Sequence, residues 1–346
     1  SDLQAGRSRA SVGDPAGALA NIERPDQIAA RLQQADPANQ GTLALRARVA
    51  IHHAAIAMNS RQELDRATDL LAQASKYIAA IPAQSRVAKL LTIQYEMESA
   101  ILGNWKGSYA ESQSHARKGI AIAEALPPDP ADAREAQYLL ARIYDALAEA
   151  VYYGVGAAES EPVYERLVAI TSTYLTAHPD DALAQRLAIE AHWGLGATLL
   201  GVNRPKDGLR EMQAAAALVP TLLQYQPEDT GAQRTQRTVY TALAQALAMS
   251  GRFNEGVAPL REELAKNEEL VRKTDSRPEQ VRSYGVTLAM LADLYADNNI
   301  AAEACPIYAK AEQVWIDLDK RGVLTQLDRD NAQKMVRERQ TQLNCP

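Results

Sequence analysis

The chain has 346 residues, a formal charge of −6 and a pI near 5.5, and its apolar residues, 47% of the total, are rich in Ala and Leu and include one Phe, Phe253. The acidic balance supplies no basic stripe to follow a phosphate backbone, so nucleic acid is not an expected partner. No apolar run approaches the ~20 residues that span a bilayer, and no signal peptide is visible, so this segment is expected to insert into no membrane. The sequence opens without Met and in mid-pattern, as a processed chain or an excised fragment would.

From the N-terminus onward, Gly or Asn recurs with a small residue five positions later: GDPAGA at Gly13, GNWKGS at Gly103, NRPKDG at Asn203, GRFNEG at Gly251 and NIAAEA at Asn299. Asn59 and Gly154 stand near the middle of the two long gaps. The seven marks are separated by 46, 44, 51, 49, 48 and 48 residues, and a period of this length signifies a solenoid. Gly and Asn tolerate the left-handed conformation that closes a helix C-terminus. The small residue that follows, Ala18, Ser108, Gly208, Gly256 or Ala304, is expected in the first turns of the next helix, close against the previous one. A second series, Pro37, Pro82, Pro130, Pro179, Pro227 and Pro278, is expected to end the second helix of each pair, with neighbouring Asp, Ser or Glu capping the next. Each repeat is thus an antiparallel helical hairpin. Residues 1–346 form one all-α repeat domain, with an incomplete first repeat over 1–40 and a C-terminal capping helix over 321–346.

The last three units resemble the tetratricopeptide repeat family. Leu288, Leu291, Ala292 and Tyr295, then Ala304, Tyr308 and Ala311, stand where that family packs its helices. The same offsets give Tyr240, Leu243, Ala244, Leu247, Gly256 and Leu260 around Gly251, and His192, Leu195, Gly196, Leu199, Gly208, Met212 and Ala215 around Asn203. The resemblance implies a right-handed superhelical solenoid of about seven hairpins. The period of 44–51 departs from the family's 34-residue unit, and Glu96 and Ser99 occupy offsets that should be apolar.

Catalytic signatures are missing: there is no P-loop, H-E-x-x-H, G-x-S-x-G or zinc-spaced cysteine cluster. GLGATLLG from Gly194 lies within a helical pattern and suits a close helix contact better than a dinucleotide loop. His52 and His53 point about 100° apart on a helix and do not readily share a metal. Acidic pairs such as Glu262-Glu263 and Glu268-Glu269 suit a solvated face. No enzyme activity, metal or cofactor is expected.

Cys305 opens the second helix of the last hairpin, and Cys345 ends the amphipathic segment after it. If that segment folds back antiparallel, the two thiols meet in a disulfide that pins the cap and implies an oxidising compartment. Otherwise they are two unrelated thiols of a cytosolic protein.

The family resemblance implies a groove lined by the first helices. Positions 13, 10, 6 and 3 before each mark give Arg46, Val49 and His53; Leu90, Ile93 and Met97; Tyr144; Glu190 and Trp193; Thr238, Thr241 and Gln245; and Asp293. Trp193, Glu190 and Gln245 form the expected centre, although Trp193 and Tyr144 equally suit packing between repeats. The expected function is a non-enzymatic protein- or peptide-binding scaffold. GDPAGAL, ADPANQ, AHPDD and the ending C…VWIDLDKRG…NC also look like the C-terminal repeat regions of bacterial membrane-anchored Ser/Thr kinases. That resemblance implies a periplasmic sensor or docking region, a fragment of a larger signalling protein. The alternative is a cytoplasmic regulator or assembly scaffold of the same fold.

Overall fold

The computed structural model describes residues 15–58, 63–225, 229–272, 276, 278–324 and 329–346. Among them are fourteen α-helices and no strand. The helices are α1 (Pro15–Ala35), α2 (Gln40–Ile56), α3 (Leu64–Ala79), α4 (Arg86–Lys106), α5 (Tyr109–Glu124), α6 (Ala133–Gly154) and α7 (Ala157–Ala177). They continue as α8 (Ala182–Gly201), α9 (Pro205–Tyr225), α10 (Thr230–Met249), α11 (Phe253–Val271), α12 (Pro278–Asp297), α13 (Ala301–Lys320) and α14 (Lys334–Gln342). A π-helical turn, Arg329–Gln333, leads into α14. The chain divides into two compact units, one holding residues up to 202 with 220–232, the other 203–219 with 233–346.

Within the first unit the array is built by one rule. Each first helix (α2, α4, α6) packs on the second helix that follows it, and each second helix packs again on the next first helix. First helices also lie side by side, α2 on α4, α4 on α6 and α6 on α8, so the unit has a layer of first helices backed by second helices. In the second unit α11 packs on α12, α12 on α13, and α13 on α14. The fold is an all-α helical-repeat solenoid, as the repeating marks indicate.

The hairpin turns explain the marks and correct two of them. Asn203, Gly251 and Asn299 have φ of 61°, 76° and 60°, the left-handed conformation their residue types permit. The amide after the turn reaches back five residues: Arg252 N donates to Leu247 O at 2.8 Å and Ile300 N to Tyr295 O at 2.9 Å. The same bond in α4 runs from Ser108 N to Gly103 O (2.8 Å), so the turn residue is Gly107, at φ 72°, rather than Gly103. In α6 it runs from Gly156 N to Val151 O (3.0 Å), which puts the turn at Val155 rather than Gly154. Positions 107, 155, 203, 251 and 299 then follow one another at a uniform spacing of 48 residues. Gly103 and Gly154 are small for another reason. A Cβ on Gly103 would lie 2.9 Å from Ser112 Cβ, and one on Gly154 would lie 2.6 Å from Tyr109 Cβ. The marks at Gly13 and Asn59 lie outside the described residues.

The small residue five after each turn is confirmed in this corrected register. Ser112, Ser160, Gly208, Gly256 and Ala304 are all buried, whereas Ser108 instead precedes the first residue of α5. Gly256 shows why size matters, because a Cβ there would come within 2.6 Å of Ala244 O. Most of the apolar positions expected from the tetratricopeptide resemblance are also inside, Tyr240 and Leu243 being half-buried. Leu288, Leu291, Ala292, Tyr295, Ala304, Tyr308 and Ala311 form one cluster with Ala244 and Leu260. Leu195, Leu199, Met212 and Ala215 are buried as well. The polar exceptions Glu96 and Ser99 are also buried, and Glu96 is partnered, its Oε2 lying 2.5 Å from His115 Nδ1.

Pro37, Pro82, Pro130 and Pro179 lie in the connections after α1, α3, α5 and α7, where they stop the second helices. Pro278 differs, being the first residue of α12, where its missing N–H costs nothing. Pro227 lies outside the described residues. The acidic caps beside these prolines do a second job. Asp181 accepts from Leu183 N at 2.9 Å, and Asp229 accepts from Gly231 N at 2.6 Å. These two aspartates, and Asp132 at the start of α6, which makes no side-chain cap bond, each receive an arginine from the preceding first helix: Arg86 to Asp132 (2.5 Å), Arg134 to Asp181 (2.7 Å) and Arg186 to Asp229 (2.5 Å). This ladder ties the start of one first helix to the start of the next. Although burial works against its charge, Asp181 is held below the usual carboxylate range by Arg134 and the Leu183 amide.

At the C-terminal end Cys305 and Cys345 form a disulfide, with S–S 2.03 Å and Cα–Cα 5.3 Å. It joins the first turns of α13 to the residues after α14. Val336 is the buried residue of α14, and Arg337 beside it pairs with Glu312 at 3.0 Å.

Candidate functional site

The corrected turns shift the expected face of the first helices in the middle repeats. Counting 13, 10 and 6 residues back from 107 and 155 selects Gln94, Met97 and Ile101 on α4, and Arg142, Asp145 and Glu149 on α6. The turn at Asn203 still selects Glu190 and Trp193 on α8. Leu90 and Ile93, expected on the groove, are buried core residues, as are Val49 and Met97. Tyr144 moves to a packing offset, equivalent to Tyr240 and Leu288. It packs among the cores on either side of α6, and its hydroxyl donates to Glu124 Oε1 at 2.9 Å.

The other expected residues are placed as follows. Arg46 is committed to the scaffold, donating to Tyr77 Oη at 2.8 Å and to the Asp26 carboxylate. His53 is half-buried with Nε2 3.0 Å from Arg66 Nη2. Burial first, and then the Arg66 charge, lower its pKa and keep the ring neutral. Trp193 is half-buried on α8. In the second unit Thr241 donates to Arg237 O at 2.9 Å, Gln245 is exposed, and Asp293 is bound by Arg339 (3.1 Å) and the Tyr308 hydroxyl. Burial pushes the Asp293 carboxyl up. Glu190 and Trp193 thus share one helix of the first unit, whereas Gln245 belongs to the second.

The centre of the first unit's face is Arg142. Its Nη1 donates to Asp145 Oδ2 at 2.9 Å on its own helix and to Glu190 Oε2 at 3.1 Å on α8. Glu98 on α4 and Glu149 on α6 add further negative charge around this guanidinium and the Asp145 carboxylate. Burial, reinforced by Glu190 and Glu149 and opposed by Arg142, pushes the Asp145 carboxyl up to about 7. Arg142 fixes the carboxyl groups of two adjacent repeats, Asp145 and Glu190, in one arrangement. The face is also bent: Arg48 of α2 reaches Glu135 of α6 at 3.4 Å, past α4, which lies between them. Side chains of repeats n and n+2 therefore meet across the layer of first helices.

The segment at Gly194 is a close helix contact, as its pattern indicates. A Cβ there would lie 2.2 Å from the Tyr164 ring of α7. Among the described residues no group of three or more His, Cys, Asp or Glu is placed to hold a metal ion. No described helix is long and apolar enough to cross a membrane.

No protein-family model and no curated protein sequence matches the chain. Among solved structures, the crystal structure of the apo form of RapI aligns with 95% of this chain and 82% of its own, at 11% identity and a TM-score of 0.48.

Proposed function

We propose that this chain is a non-enzymatic binding scaffold whose first helices hold an extended peptide bearing a cationic side chain. The observation that carries it is the Arg142 arrangement, in which one guanidinium orders the carboxyl groups of Asp145 and Glu190 while the exposed Glu149 lies one turn further along α6. A lysine or arginine of the partner pairs with Glu190 and Glu149 beside Arg142, and Trp193, three residues from Glu190, supplies an apolar surface next to it. The scaffold further serves as a sensor or docking region of a bacterial signalling protein in an oxidising compartment. The Cys305–Cys345 bond and the resemblance of the repeat sequences to the C-terminal regions of membrane-anchored kinases support that assignment.

The test is a fluorescence-polarisation titration with extended peptides that differ only in a central Lys, Arg, Gln or Glu. The basic peptides should bind at least about tenfold more tightly than the Gln and Glu peptides. Glu190→Gln should erase that preference. Trp193→Ala should weaken all the peptides with little change in melting temperature. Equal affinity for all four peptides would refute the cationic assignment, and a steep fall in melting temperature would return Trp193 to the core.

A further inference from the structure

A second surface lies at the turn edge of the first unit, where α4 and α6 end, and Glu149 borders both it and the Arg142 cluster. Trp105 stands two residues before the Gly107 turn and Tyr109 two residues after it, while the next repeat has Tyr152 and Tyr153 at the end of α6 and Val155 just after it. Trp105 is 48% exposed, Tyr153 62% and Val155 60%. The rings are ordered among themselves. Tyr153 stacks on Tyr109 with centroids 5.9 Å apart and planes 23° apart, and meets Tyr152 edge-on at 5.1 Å. Gly154 makes the stack feasible, since any side chain there would collide with Tyr109.

The fold itself does not demand these aromatics. Position 105 corresponds to 153 and then to 201 in the 48-residue register, and the third of these is Gly201. Two repeats therefore keep a large aromatic in water where another closes its hairpin with glycine. Ordered, exposed Trp and Tyr at this density mark an interaction site.

The rim of the patch identifies the occupant. Glu149 accepts from Asn104 Nδ2 at 3.1 Å beside Trp105, and the Glu159 carboxylate lies over Gly156, next to Val155. Glu111 stands in the first turn of α5. Lys106, next to Trp105 in the chain, is engaged by Thr68 Oγ1 at 2.7 Å and by Asp65. Aromatic faces held at fixed spacing inside an acidic rim are complementary to a polyproline II segment. Its pyrrolidine rings lie flat on the aromatics, it arrives already extended, and a flanking Arg or Lys meets the carboxylates. An anionic membrane and a second copy of this chain, with its net charge of −6, both bring the wrong sign of charge. We propose that the edge formed by Trp105, Tyr109, Tyr152, Tyr153 and Val155 is a docking surface for a proline-rich segment of a partner protein that carries a basic residue beside its prolines.

The experiment uses the full chain and a short synthetic peptide with two Pro-x-x-Pro turns and a terminal Arg, followed by tryptophan fluorescence and by calorimetry. Binding should weaken at least about tenfold when the prolines become Ala, when the Arg becomes Glu, and in Trp105→Ala or Tyr153→Ala. The melting temperatures of these two variants should stay close to the parent, because about half of the Trp105 side chain and more of Tyr153 already face water. Glu190→Gln should bind the proline-rich peptide as the parent does, which separates this edge from the face around Arg142. Lack of binding, equal binding of the Pro→Ala peptide, or affinity that survives both aromatic substitutions would overturn the proposal. So would capture on anionic vesicles, or dimerisation lost in Trp105→Ala, if either replaced peptide binding.

Discussion

The turn at Gly251 and the contact at Gly256 allow two causes of glycine use to be measured five residues apart. Gly251 has φ 76° and nothing lies within 4 Å of where its Cβ would sit, so the cost of a substitution there is conformational alone. An L-residue in that region loses about 1–2 kcal/mol, of which Ala recovers a few tenths to 1 kcal/mol through a less flexible unfolded chain. Gly251→Ala should therefore destabilise by about 0.5–1 kcal/mol, and β-branched Gly251→Val by about 2 kcal/mol. Gly251→Asn should be close to neutral, because Asn203 and Asn299 hold the equivalent turns at φ 61° and 60°. Gly256 is helical, and helix propensity alone would make Gly256→Ala stabilising by about 1 kcal/mol. Its Cβ, however, would meet Ala244 O at 2.6 Å and Ala244 Cα at 2.9 Å, backbone atoms that cannot rotate away. Overpacking of this kind costs about 1–3 kcal/mol, enough to reverse the sign. Guanidinium titrations followed by circular dichroism should rank the proteins parent, Gly251→Asn, Gly251→Ala, Gly251→Val, with Gly256→Ala below the parent. If Gly251→Asn lost as much as Gly251→Val, the left-handed turn would not be the reason for glycine.

Three further outcomes are expected. Breaking the Cys305–Cys345 bond, which closes a separation of 40 residues, should weaken the last repeat by up to about 4 kcal/mol on a loop-entropy estimate. Amide exchange should show α14, with its single buried residue Val336, released before α12, and equal protection with and without reductant would contradict this. Arg186→Ala should cost about 2 kcal/mol, because Asp229 is buried and loses a charged partner 2.5 Å away; an unchanged unfolding midpoint would show that the ladder does not tie repeats together. For Asp145, the folded pKa of about 7 exceeds the ordinary 3.8, so its contribution to stability is complete below about pH 4 and is lost as pH rises toward and through 7. Asp145→Asn should therefore gain melting temperature relative to the parent at about pH 8 compared with about pH 5, and the opposite trend would mean that Arg142 outweighs burial.

Helical hairpins were legible in the sequence because their ends are dictated locally. A left-handed C-terminus selects Gly or Asn, a close crossing selects a small residue, and proline stops a second helix, so each requirement leaves a residue type at a fixed offset. The same logic misled at Gly103 and Gly154, where glycine answers a close approach to Ser112 and Tyr109 rather than the backbone conformation. Residue type alone does not separate these two demands, whereas spacing does, since stepping 48 residues back from Asn203 leads to Val155 and then to Gly107. A slip of one residue on a helix turns a face by about 100°, which is why Tyr144 stood where Asp145 belongs. Arg142, Asp145 and Glu149 were hidden by that rotation, not by any weakness in their own signal. The pairing of Arg142 with Glu190 was beyond local pattern in any case, because it depends on how closely α6 and α8 lie side by side. The disulfide was legible because two antiparallel segments of known length bring their ends together whatever their exact crossing. Charge complementarity between neighbouring first helices has no such local signature, so the binding face of a repeat protein has to be read from its register first and its residues second.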